Sequence, residues 1–139
     1  MKIRGFTLIE LMVAVVIAAI LLLVGIPSLS ERLAAERLER STGELASAYR
    51  FARSEAVKLT LPVVLQGTQN GGWEVTADSK LLRQAAAPGG GVSISPFAPI
   101  TIAPTGSSAQ AEITLANRLG EQRVLCIAPS GQLLHGSCS

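Results

Sequence analysis

The chain has 139 residues, 48% of them hydrophobic and 16% charged, with two cysteines, one histidine and a formal net charge of +2. That apolar content excludes a disordered chain. Lys2 and Arg4 account for the whole net charge, so from Phe6 onward ten basic side chains face ten acidic ones and no basic stripe argues for nucleic acid.

The first element is an apolar run. Met1-Lys2-Ile3-Arg4-Gly5 is followed by Phe6-Thr7-Leu8-Ile9-Glu10 and then by an uncharged stretch to Ile26. A secretory signal places its cleavage site after the apolar segment. Here the basic residues and a small residue come before it. As a helix, Phe6–Ile26 would rise about 32 Å, enough for a bilayer core of about 30 Å. Lys2 and Arg4 place its start on the cytoplasmic side. Glu10 is the only charge within it, and a carboxylate at bilayer depth costs about 2.5–3.5 kcal/mol at a helix centre, less near an end. Gly25 and Pro27 close the run, and proline inside a helix removes a backbone hydrogen bond. Because a helical pattern resumes at once, the expectation is a kinked or locally melted helix at Gly25 and Pro27; a helix that stops at Ile26 is the alternative.

This junction resembles the class III signal of type IV pilins and type II secretion pseudopilins. The resemblance implies cleavage between Gly5 and Phe6 by a prepilin peptidase and methylation of the new Phe6 amine. It also implies that Glu10 pairs with the N-terminal amine of a neighbouring subunit during filament assembly. The partners it implies are other major or minor pilins or pseudopilins, the peptidase, an inner-membrane assembly platform and the membrane lipid.

Residues 30–58 read as a second, amphipathic helical half. Leu29, Leu33, Leu38, Leu45, Ala48, Tyr49, Ala52 and Ala56 recur at helical spacing. Charges of both signs fill the other face. Glu36 and Arg40 stand in the favourable order for an ion pair worth about 0.3–0.5 kcal/mol.

Beyond Leu59 the texture becomes β-rich. Strands are expected near 61–66, 72–77, 80–84, 92–95, 100–103, 111–116, 123–128 and 132–135. Gly67–Gly72 reads as a hairpin loop and Ala85–Gly91 as a flexible connection. The triplet Gly89-Gly90-Gly91 lacks the Lys-Ser/Thr of a phosphate loop. One sheet packed on the outer helical half would bury a single core, with Val63, Leu65, Trp73, Val75, Ile113 and Leu115 as members. Cys126 and Cys138 are the only cysteines. An exported domain of this size favours a disulfide between them over two free thiols. His135 and Cys138 offer only a partial metal ligand set, so no metal or other cofactor is expected.

Arg50-Phe51-Ala52-Arg53-Ser54-Glu55-Ala56-Val57 resembles the "ARSEA" helix segment of the GspH/FimT family. Gly72-Trp73-Glu74-Val75, Ile100–Gly106 and Cys126–Gly131 are similar to its strand motifs. The resemblance implies an α+β fold, a long kinked N-terminal helix on a small antiparallel β-domain. It implies a minor pilin or pseudopilin at or near a filament tip that helps initiate assembly. The expected organisation is a removed leader over 1–5, a transmembrane and polymerisation helix over 6–29, an amphipathic half over 30–59 and a periplasmic β-domain over 60–139. DNA uptake is the rival function. Family members that bind DNA resemble one another in a basic Gly-Arg-x-Arg tail, where this chain has Gly131-Gln132-Leu133-Leu134. Arg118 and Arg123 are the remaining candidates for such a contact. An enzyme is not expected: there is no Gly-x-Ser-x-Gly elbow and no metal-binding cluster.

Overall fold

The computed structural model describes residues 6–138, with side chains described outside 24–28. Residues divide into two compact units, Met1–Leu33 and Ala34–Ser139. One helix, α1 (Leu8–Leu59), supplies residues to both. Thr60, with φ 53°, turns the chain out of the helix, and Pro62 prevents its resumption. Lys58 lies in the last turn, where a cation complements the helix dipole.

Within the second unit, Ala34, Leu38, Leu45, Ala48, Tyr49, Ala52 and Ala56 form one buried stripe of α1. Their three- and four-residue spacing keeps them on a single face. Thr42 is the polar member, and its hydroxyl donates to the Leu38 carbonyl at 2.8 Å. Leu29 and Leu33, read from sequence as part of the stripe, are exposed; the buried stripe starts at Ala34. Glu36 and Arg40 form no ion pair among the described residues; Glu39 is the helix acid that reaches a strand, pairing with Arg123 at 3.5 Å.

Eight strands follow: β1 (Val63–Gly67), β2 (Trp73–Ala77), β3 (Lys80–Ala85), β4 (Val92–Ile94), β5 (Ile100–Ile102), β6 (Ala111–Asn117), β7 (Gln122–Ile127) and β8 (Leu133–His135). Each falls within two residues of its sequence expectation. They form two four-stranded antiparallel sheets rather than the single sheet expected, in the orders β3-β2-β1-β5 and β4-β6-β7-β8. The Ala85–Gly91 connection carries the chain into the second sheet, and β5 returns to pair with β1. Alternation fixes which face of a strand is buried, but not which strand it pairs with.

The inner faces follow that alternation. Val63 and Leu65 on β1, Trp73 and Val75 on β2, and Ile113 and Leu115 on β6 are all buried, as expected. They join Leu38, Leu45, Ala46, Ala48, Tyr49, Ala52 and Ala56 of α1 in one core. Among the described residues no buried side-chain nitrogen or oxygen lacks a hydrogen-bond partner.

Candidate functional site

The N-terminal end is a capped apolar helix. The Thr7 carbonyl accepts from the Glu10 and Leu11 amides at 3.1 and 3.3 Å, and the Thr7 hydroxyl accepts from the Glu10 amide at 3.4 Å. Thr7-Leu8-Ile9-Glu10 therefore matches the spacing of a capping box. The sequence carried this signal, and reading the stretch only as a family motif overlooked it. Glu10 also lies in the first turn, where its charge complements the helix dipole. Its carboxylate forms no ion pair among the described residues.

The large apolar side chains from Phe6 to Leu23 are between 51% and 79% exposed, on every face of the helix. A helix apolar all round belongs in an apolar surrounding, and this one has none of its own. Among the described residues no helix is long and apolar enough to cross a membrane. The expected span, Phe6–Ile26, reaches into the stretch 24–28. Gly5 of the expected cleavage site lies outside the described residues, and Gly25 and Pro27 of the expected kink lie in the stretch 24–28.

The second unit is locked by two side chains of α1. The Arg53 guanidinium donates from Nε to the Gly106 carbonyl at 3.0 Å and from Nη2 to the Ser130 carbonyl at 3.5 Å. One turn earlier, the Tyr49 hydroxyl donates to the Gly131 carbonyl at 3.2 Å and lies 3.4 Å from the Ser108 hydroxyl. Gly106 ends the turn after β5 in one sheet, and Ser130 and Gly131 belong to the turn after β7 in the other. Tyr49 and Arg53 thus bind both sheets to one helix face.

The two turns are built alike. Ala103-Pro104-Thr105-Gly106 and Ala128-Pro129-Ser130-Gly131 each close with a glycine amide donating to the alanine carbonyl at 2.8 Å. Gly106 and Gly131 take φ of 80° and 78°, the left-handed conformation of a three-residue hairpin loop. A Cβ on Gly131 would lie 1.8 Å from the Gly106 carbonyl oxygen. The turns pack so closely that glycine is required there by space as well as by backbone. Sequence reading singled out the Arg-Ser-Glu-Ala segment but gave Arg53 no role. The available signal was the repeated Ala-Pro-x-Gly.

Cys126 and Cys138 form a disulfide with a Cα–Cα distance of 5.1 Å. It fastens the segment after β8 back onto β7, and the Cys138 amide donates to the Glu112 carboxylate. Arg123, a candidate for nucleic acid, is instead flanked by Glu121 at 3.1 Å and Glu39 at 3.5 Å. Arg118 stands exposed on the β6–β7 turn without an ion pair among the described residues. Among the described residues no cluster of His, Cys, Asp and Glu is placed to hold a metal ion.

The family described as type II transport protein GspH matches residues 41–131. The chain belongs to the GspH family. The matched stretch contains Tyr49, Arg53 and both Ala-Pro-x-Gly turns, so it coincides with the locked part of the second unit. A prokaryotic N-terminal methylation motif matches residues 1–26. No curated protein matches this GspH-family chain. Its fold is similar to that of the type IV minor pilin FimU of Pseudomonas aeruginosa, at 19% identity and a TM-score of 0.63, covering 74% of this chain and 90% of FimU. It is also similar to the minor pseudopilin EpsH of the type 2 secretion system of Vibrio cholerae. That match has 13% identity and a TM-score of 0.59, covering 73% of this chain and 97% of EpsH. The architecture is the pilin-like α+β fold.

Proposed function

We propose that this chain is a minor pilin or minor pseudopilin, a structural subunit stored in the bacterial inner membrane and incorporated at or near a filament tip, where it helps initiate assembly. One observation carries the reading: the Ala34–Ser139 unit has its own core and disulfide, while the apolar side chains of Phe6–Leu23 are exposed on all sides. Such a segment lowers its free energy only by entering lipid or by packing on other helices. The methylation motif supports processing of the same segment.

In this reading prepilin peptidase cuts between Gly5 and Phe6 and the Phe6 amine is methylated. Phe6–Ile26 spans the bilayer with the leader in the cytoplasm, and the β-domain lies in the periplasm, the oxidising side that suits Cys126–Cys138. Gly25 and Pro27 form a bend between the anchor and the amphipathic half. During assembly the anchor exchanges lipid contact for contact with neighbouring helices, and Glu10 meets the amine of an adjacent subunit. That pairing offsets the cost of holding a carboxylate among apolar groups and fixes the axial register. An assembly platform supplies the work.

A DNA-binding reading is not adopted. Arg123 is paired with Glu39 and Glu121, and Gly131-Gln132-Leu133-Leu134 carries no arginine. The processing step is tested by mass spectrometry of the N-terminal peptide from hosts with and without prepilin peptidase. A mature terminus at N-methylated Phe6, only where the peptidase is present, is expected. Retention of Met1–Gly5 in both hosts would sink the proposal.

A further inference from the structure

The free edges of the two sheets are not equivalent. β3 carries Lys80 and Arg83 and an extra residue, Leu82, where its pairing with Val75 and Thr76 of β2 shifts register, both devices that discourage pairing at an edge. β4 runs into Pro96, which has no amide to offer. Beyond β5 the chain returns to form a bridge from Ser108 to Ile102. β8 has none of these guards. Between Ser130 and Cys138 the only titratable side chain is His135, and Leu134 is exposed.

The ladder leaves half of the β8 backbone unused. The Gly136 amide donates to Val124 and the Ala128 amide donates to Gln132, with Leu134 opposite Cys126 between them. In an antiparallel ladder alternate residues point their amide and carbonyl away from the partner strand. Leu133 and His135 are those residues. Beside them lies an open groove of about 380 Å³, with Tyr49, Arg50 and Arg53 of α1 on one side and Gln132, Leu133 and Leu134 on the other. Arg50 is exposed and forms no ion pair among the described residues.

We propose that this groove receives an extended, acidic segment of another polypeptide chain, which pairs with the outer edge of β8 and places a carboxylate against Arg50. The outward amides and carbonyls of Leu133 and His135 supply backbone bonds to such a strand. Leu134 supplies apolar contact, and Arg50 selects acidic over basic sequences. The disulfide is part of the site. β8 is a three-residue strand, and Cys126–Cys138 holds the chain that follows it, so the edge is presented in a fixed position. The inference does not depend on the filament reading, because it concerns the Ala34–Ser139 unit alone.

Two features favour a peptide over single-stranded DNA. The groove offers backbone partners in strand register, which a phosphate chain does not match. Its β8 wall is apolar where a phosphate tract calls for further cations.

The test uses the full chain in detergent micelles and a short fluorescein-labelled peptide in which valine alternates with glutamate or threonine. Saturable binding by anisotropy is expected, together with new hydrogen-exchange protection of the Leu133 and His135 amides. Arg50→Glu should weaken binding by about tenfold or more, the order expected for a lost charge-assisted bond. His135→Pro, which removes one outward amide from an exposed position, should also weaken it while leaving Trp73 fluorescence unchanged. No saturable binding, protection confined to other amides, equal binding of a lysine-substituted peptide, or tighter binding of an oligothymidylate would each overturn the proposal.

Discussion

The two ends of α1 differ in how much apolar surface they carry and in what covers it. From Ala34 to Ala56 the apolar positions form one narrow stripe, and the two sheets bury it. From Phe6 to Leu23 they occupy every face, and the described residues bury almost none of it. The difference lies in both amount and distribution. A stripe specifies a partner within the same chain, whereas a helix apolar all round specifies a medium or a bundle of equivalent helices. The first half of α1 is therefore written for surroundings that the chain itself does not provide.

Substitutions of one chemical type in the two halves should separate sharply. Leu45 is fully buried, and Leu45→Ala should destabilise the Ala34–Ser139 unit by about 2–5 kcal/mol. Trp73, the single tryptophan and itself buried, reports this unfolding by fluorescence in denaturant. Equal stability of Leu45→Ala and the parent would mean that the stripe is not the core. Next in size is the disulfide. Its loop is short, with a sequence separation of 12, and replacing both cysteines by serine should lower stability by about 3 kcal/mol in the loop-entropy account. The same denaturation curve under reducing conditions checks this without mutation.

A smaller effect is expected at the lock. Tyr49→Phe keeps the buried ring and removes the hydroxyl that donates to Gly131, so the loss should be about 1 kcal/mol, part of it from the carbonyl left unpaired. Its informative feature is location: amide exchange should rise in both Ala-Pro-x-Gly turns and little elsewhere. The smallest effect belongs to the anchor. Leu21→Ala should change the unfolding free energy of the second unit by less than about 0.5 kcal/mol, the range of surface substitutions. A Leu21→Ala loss comparable to that of Leu45→Ala would erase the contrast between the halves.

Much of the second unit was legible because strands announce themselves by alternation. Val63, Leu65, Trp73, Val75, Ile113 and Leu115 were placed in the core by that rule, and all are buried. Pairing was less legible. Two sheets arise because β5 returns to β1 across the β4 segment, a long-range choice that no local pattern encodes. Periodicity also failed to show where the core ends. Leu29 and Leu33 keep the spacing of the stripe yet lie exposed before it. Arg53 illustrates another limit: its partners are backbone carbonyls of Gly106 and Ser130, 53 and 77 residues away. A carbonyl has no side-chain signature, so only the recurrence of Ala-Pro-x-Gly pointed toward it. At the N-terminus the cap was legible in Thr7-x-x-Glu10, and the local reason for an acid there is now visible beside the assembly role proposed for it.

Those two reasons for Glu10 make different demands. Dipole complementarity at a first turn is worth about 0.3–1 kcal/mol, and its loss leaves the apolar segment able to enter lipid. A register-setting charge is needed only when subunits meet. The most direct measurement therefore compares Glu10→Val with the parent in its own host, by immunoblot of the membrane fraction and of sheared filaments. The account predicts parental levels in the membrane and loss from the filaments. Incorporation of Glu10→Val into filaments at the parental level would contradict it.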